Sequence, residues 1–138
     1  MPGGTLFALE FPMNLNHEWG RAIEKKAEEY LVQKGLVLLH RNYRVRMGEI
    51  DLIFEEMRGG SDGVPCLREL VFVEVRARHK GTAWVDAVES VDWKKQRRLK
   101  RTISFFLSRY HGKAKSLRFD IMAWDGEAWT HLENVWMS

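Results

Sequence analysis

The chain predicts an α+β domain in which a central mixed β-sheet is flanked by helices in an α/β sandwich, with its elements in the order α-β-β-β-α-β-β. Three observations lead there. Two segments, about 16–34 and 83–110, place apolar residues at three- and four-residue spacing, the period of a helix with one buried face. Two stretches, Gly48-Glu-Ile-Asp-Leu-Ile-Phe54 and Leu70-Val-Phe-Val-Glu-Val-Arg76, are apolar or β-branched on most positions, as strands covered on both faces are. An Asp125-Gly126 dipeptide between two strand-like runs marks a hairpin.

Residues 1–15 read as a flexible N-terminal extension, and residues 16–138 as the single domain. The first helix runs from about Asn16 to Lys34. Its stripe is Gly20, Ile23, Ala27, Tyr30, Leu31 and Lys34, with Trp19 beside it, and Gly35 closes it as a residue just past a helix end does. Glu24 lies about 60° from the stripe centre, at the border of the buried face. Leu36–Leu39 continues through Asn42–Val45 as the first strand, and Arg46–Gly48 is the turn into the first core strand, about Glu49 to Glu56. Arg58–Pro65 is a loop by composition, and the second core strand covers about Glu69 to Arg78.

A loop spanning about 57–68 symmetrically makes these two strands an antiparallel hairpin with a definite register. Asp51 then faces Glu74, Glu49 faces Arg76 and Ile53 faces Phe72, and strict period-two alternation sends all six to one face. The long helix (or two abutting helices) follows from about Ala83 to Tyr110, with the stripe Trp84, Val88, Val91, Leu99, Ile103, Phe106 and Tyr110. Position 95 belongs to that stripe but holds Lys95, while Lys94, Arg97, Lys100 and Arg101 fall on the outer arc. The chain finishes with strands Leu117–Trp124 and Glu127–Leu132.

Composition bounds the function. At 138 residues, 30% charged and 45% hydrophobic, the chain is long enough for one real core and has no apolar run near the roughly 20 residues a bilayer span needs. The first dozen residues lack the basic start of a secretory signal. A lone Cys66 excludes an internal disulfide and a multi-cysteine zinc site, so a cytoplasmic setting without membrane partners is expected. The five histidines are scattered, which argues against zinc. Net charge is only +3, but six of the eight residues from Lys94 to Arg101 are basic. A block of that density suits a phosphate backbone, with Lys94, Arg97, Arg98, Lys100 and Arg101 as its contacts and Trp93 as a stacking neighbour. Its plainer reading is a solvated helix face.

A carboxylate in the middle of a buried strand is costly unless it is paired, hydrogen-bonded or bound to a cation. The fold brings Asp51, Glu74 and Arg76 together from adjacent strands, with Glu24 from the first helix and Lys95 from the long one. Two or three carboxylates with no histidine or thiol form a hard-oxygen site suited to Mg²⁺ or Mn²⁺. Such an ion lowers the pKa of bound water and neutralises phosphate charge, which is the chemistry of a metal-dependent nuclease. The structural alternative for Asp51, Glu74 and Arg76 is a cross-strand ion-pair ladder.

The arrangement Asp51-(22 residues)-Glu74-x-Arg76, after a helix carrying Glu24, resembles the PD-(D/E)XK nuclease superfamily. A longer set resembles the YraN-type family of small bacterial proteins of unestablished function, similar in fold to archaeal Holliday-junction resolvases. That set is Gly20-x-x-x-Glu24-x-x-Ala27, Gly35, Asn42-Tyr43-Arg44, Gly48-Glu-Ile-Asp-Leu-Ile53, Val71-Phe-Val-Glu-Val75, Arg78, Ala87-Val88, Lys95 and Arg118-Phe-Asp120. The resemblance implies a restriction-endonuclease-like fold with Asp51 and Glu74 as metal ligands, Glu24 as an accessory acid and Lys95 as a helix-borne basic residue near the site. It further implies DNA, in structured or branched form, as substrate, and a homodimer. The departure is Arg76, where the family and superfamily usually have Lys. Arginine keeps the charge and can fork a phosphate, but it does not deprotonate. An inactive DNA- or partner-binding module is therefore the competing expectation.

Overall fold

The structure, a computed structural model, describes residues 13–77 and 93–136, with side chains from Trp19 onward. Helix α1 (Met13–Gln33) leads into strands β1 (Val37–Val45), β2 (Gly48–Arg58) and β3 (Leu67–Ala77). Helix α2 (Trp93–Ser108), β4 (Ser116–Trp124) and β5 (Trp129–Leu132) complete the order α-β-β-β-α-β-β. The strands form one mixed sheet in sequence order, antiparallel throughout except for the parallel β3–β4 pair. Residues 83–92, expected in the long helix with Trp84, Val88 and Val91, lie outside the described residues, as do residues 1–12. Among the described residues no helix is long and apolar enough to cross a membrane.

Alternation along the strands divides the core between two layers. On one face Ala27 and Leu31 of α1 pack with Leu52, Phe54, Val71, Val73 and Met122. On the other, Leu99, Ile103 and Phe106 of α2 pack with Ile53, Phe72, Phe119 and Ile121. The α1 stripe is narrower than its sequence suggests: Ile23, Ala27 and Leu31 are buried, whereas Tyr30 and Lys34 are exposed. Tyr30 instead sets its ring 6.3 Å from that of Trp129, and the Lys34 ammonium lies over Tyr30. The helix stops at Gly35, whose φ of +103° costs little without a Cβ. The Gly35 amide donates to the Val32 carbonyl and the Leu36 amide to Leu31, so orphaned carbonyls are satisfied while Leu36 packs back beside Leu31.

Two features bring α2 onto β2. Gly48 opens the strand where an added Cβ would stand 2.6 Å from the Thr102 hydroxyl oxygen, closer than atoms can approach. Thr102, fully buried, donates that hydroxyl to the Arg98 carbonyl and cannot step aside. The second feature is a break in alternation. Asn42 of β1 has φ +51°, a left-handed conformation that asparagine tolerates. The register passes from Arg41↔Leu52 to Tyr43↔Ile50, so Asn42 stands across from Asp51. On one side of this kink Arg41 turns toward α1 and pairs with Glu28 at 2.7 Å; on the other Tyr43 packs edge-on against Phe106 of α2. Ile50 likewise joins Ile53 beneath α2. Strict alternation, which would keep Glu49, Asp51 and Ile53 on a single face, is thus broken at Asp51.

A cleft where two strands part

The β2–β3 ladder runs from Arg58↔Leu67 to Leu52↔Val73, in the register read from the sequence. Beyond Leu52 and Val73 the two strands separate. β2 continues against β1 as far as Val45↔Gly48, and β3 continues against β4 as far as Ala77↔Trp124. Beyond Val73 the β2 backbone no longer pairs with β3, and Asp51 meets one β3 amide in its place: its Oδ2 accepts the Val75 N–H at 2.8 Å. Asp51 and Glu74 therefore meet in the fork rather than on a continuous ladder. A cleft of about 380 Å³ opens there, with Glu24, Glu49, Asp51, Glu74, Arg76, Lys95 and Arg98 as its charged lining and Ile50, Val73, Leu99 and Phe119 as its floor.

Burial pushes the Asp51 carboxyl up to about 7, opposed by the Val75 amide and reinforced by the negative fields of Glu24, Glu74 and Glu49. Glu74 is buried, and its Oε2 receives the Lys95 ammonium at 2.5 Å and a terminal nitrogen of the Arg76 guanidinium. Two cations thus share one carboxylate oxygen. Lys95 reaches it because its helical position continues the stripe of Leu99, Thr102, Ile103 and Phe106, all of them buried against the sheet.

The arrangement brings together Glu24, Asp51, Glu74, Arg76 and Lys95, all five expected at one site. Glu49 stays exposed at the rim, where Arg44 pairs with it at 3.3 Å, and does not reach Arg76 through a strand ladder. Arg98 lines the cleft with Lys95. Lys94, Arg97, Lys100 and Arg101 are exposed.

Asp51 and Glu74 offer a donor set of carboxylate oxygens alone. Among the described residues no three His, Cys, Asp or Glu groups close a cage around an ion. Mg²⁺ suits the set, since it is held by one or two carboxylates with water and substrate phosphate filling the other positions. The hydrogen bonds above engage Oδ2 of Asp51 and Oε2 of Glu74.

A second ionic cluster lies toward the other end of the β2–β3 pair and was not singled out from sequence. Arg118 of β4 is buried and donates from Nε to Asp120 at 3.0 and 3.1 Å, and from Nη1 to Glu56 at 2.7 Å and Glu69 at 2.9 Å. Burial works against the Arg118 charge, but the three acids outweigh it and raise its pKa. Burial also disfavours the Asp120 carboxylate, yet His131 at 2.8 Å, Arg118 and the Asn134 amide hold it below the usual carboxylate range. One signal could have found the cluster. The hairpin register places Glu56 opposite Glu69, and like charges across a strand pair call for a cation between them.

The uncharacterised protein family UPF0102 has a family model that matches residues 23–124 of the chain. A UPF0102 protein of Ralstonia nicotianae is 41% identical over 109 residues, covering 78% of this chain and 77% of the relative. One from Halorhodospira halophila is 44% identical over 108 residues, with the same two shares. One from Thermotoga petrophila is 36% identical over 120 residues, covering 87% of this chain and 97% of the relative.

Proposed function

The chain belongs to the uncharacterised protein family UPF0102, the YraN-type family, and from that footing we propose that it is a DNA-binding protein built as a divalent-metal-dependent endonuclease. One observation carries the reading: two carboxylates from strands that part, Asp51 and Glu74, face a helix that supplies Lys95 to the same cleft. A ladder of surface ion pairs has no reason to open the sheet around itself. Here the acidic pair lines a cleft of about 380 Å³, room for a phosphate and its waters.

In this reading Asp51 and Glu74 would hold Mg²⁺ or Mn²⁺, and the bound ion would supply a more acidic water and charge neutralisation at a phosphate. The other roles belong to the chain's own side chains. Lys95 and Arg76 place positive charge where the phosphoryl group becomes more negative, an interaction that strengthens in the transition state. Arg76 orients a non-bridging oxygen, because a guanidinium forks phosphate but does not take up or release a proton near neutral pH. Glu24 also lines the cleft, and its negative field at Asp51 helps to keep the cleft attractive to cations. The basic face of α2 binds the backbone of the same DNA. The preference for branched or structured DNA follows from the resemblance to junction resolvases alone.

Cleavage of junction, flap and duplex DNA with Mg²⁺ or Mn²⁺ tests this. Wild type cleaves at least one of them, and Asp51→Ala and Glu74→Ala do not; equal activity in all three removes the assigned site.

A second reading has its own observation: Arg76 and Lys95 both pair with Glu74, and Arg76 stands where the superfamily that the chain resembles usually has Lys. A carboxylate held by two cations can be a closed, non-catalytic arrangement in a DNA-binding module. This reading predicts salt-dependent DNA binding without cleavage, and nuclease activity created by Arg76→Lys.

A further inference from the structure

The outward side of α2 carries more than charge. Trp93 is 58% exposed at the start of the helix. The Arg97 guanidinium lies 5.4 Å and the Lys94 ammonium 6.0 Å from its ring centroid. One turn further on, the Lys100 ammonium stands 5.7 Å from the ring of Trp136, which itself packs on Phe119. Trp93, Arg97 and Lys100 follow one another at four- and three-residue spacing, so they share a face. That face is opposite the buried one that sends Lys95 to Glu74. Arg97 and Lys100 therefore lie between the indoles of Trp93 and Trp136, and Trp93 to Lys100 spans about 10 Å of helix axis, roughly three stacked nucleotides at about 3.4 Å each.

A duplex backbone needs only the cations, because its bases keep their faces inside the stack. An exposed indole between cations suits a base whose face is uncovered, and proteins that bind single strands combine these two kinds of group. We infer that the face running from Trp93 through Arg97 and Lys100 to Trp136 is a track for a single strand leaving the duplex whose backbone enters the cleft. This rests on the DNA-binding reading above and deepens it: the substrate class becomes DNA with an unpaired arm. It is independent of the resemblance to resolvases.

The test uses the full chain in EDTA and fluorescence anisotropy with two labelled probes, a 15-nucleotide oligo-dT and a blunt 15-base-pair duplex. Trp93→Ala weakens oligo-dT binding about tenfold and leaves duplex binding within about twofold, while Trp93→Phe retains most of the oligo-dT affinity and Trp93→Leu does not. Equal losses on both probes, or unchanged oligo-dT binding by a Trp93→Ala protein with the wild-type melting temperature, overturn the track. The two readings fail differently. Wild type that binds neither probe removes the DNA-binding reading and the track with it, whereas wild type that binds duplex alongside an indifferent Trp93→Ala removes the track only.

Discussion

Asp51 accepts the backbone amide of Val75 at the point where β2 and β3 cease to pair, one residue beyond Leu52 on β2 and two beyond Val73 on β3. A side chain here does the work of a missing ladder partner. The same carboxyl faces Glu24, Glu49 and Glu74, so the bond that closes the fork also holds an acid among acids.

That position should cost stability at neutral pH. In the fold Asp51 keeps its proton up to about 7, whereas in the unfolded chain it loses it near 3.8. A raised folded pKa contributes stability that is full below the unfolded value and is lost as pH rises through the folded one. Asp51→Asn, which keeps an acceptor for Val75, should therefore be more stable than wild type at pH 8 in EDTA, by about 1–2 kcal/mol. The two should converge below about pH 4. Urea unfolding across pH checks this, and Mg²⁺ should stabilise wild type but not the variant.

Lys95 should matter to turnover more than to binding. Its ammonium is set on Glu74 inside the cleft, away from the exposed basic face. Lys95→Ala should lower the cleavage rate by about 10²–10³ while changing DNA affinity by less than about threefold. Single-turnover kinetics with parallel binding curves separate the two effects.

Neutralising the outer basic face should do the reverse. Lys94→Gln, Arg97→Gln and Lys100→Gln together should reduce the slope of log affinity against log salt by about 2.7, at roughly 0.9 per lost phosphate contact. Titrations at several salt concentrations measure this slope. A slope unchanged within error would place the DNA backbone elsewhere.

The far cluster should be structural. Arg118→Ala removes the buried cation common to Asp120, Glu56 and Glu69, leaving Asp120 to His131 and the two glutamates to the more exposed Arg58. Truncating one partner of such a buried network costs about 3–5 kcal/mol. Arg118→Met with Asp120→Leu should cost clearly less than the sum of the single changes, because no uncompensated charge of that pair remains. Chemical denaturation of the single and double variants gives the coupling.

Much of this was legible in the residues themselves. Ile23, Ala27 and Leu31 gave away α1 by spacing, and the symmetric loop set the pairing of Ile53 with Phe72. A helical wheel was enough to send Lys95 inward, because Leu99, Ile103 and Phe106 define the buried arc unambiguously. The fork was not legible. It depends on a left-handed Asn42 inside a strand and on an interrupted ladder, and neither leaves a mark on hydrophobic periodicity. The exposure of Tyr30 and Lys34 was missed because a six-member stripe is wider than the sheet surface that α1 covers. Arg118 was visible as part of a motif, but its role depends on acids from β2 and β3 that are distant in sequence.

A divalent ion between Asp51 and Glu74 is the central expectation. Crystals soaked in Mn²⁺ and measured near the manganese edge would locate it by anomalous scattering. The expected result is one peak within bonding distance of both carboxylates, absent from Asp51→Ala crystals soaked in the same way. A fully soaked crystal with no peak in the cleft, and Glu74 still held by Lys95 and Arg76, would contradict it.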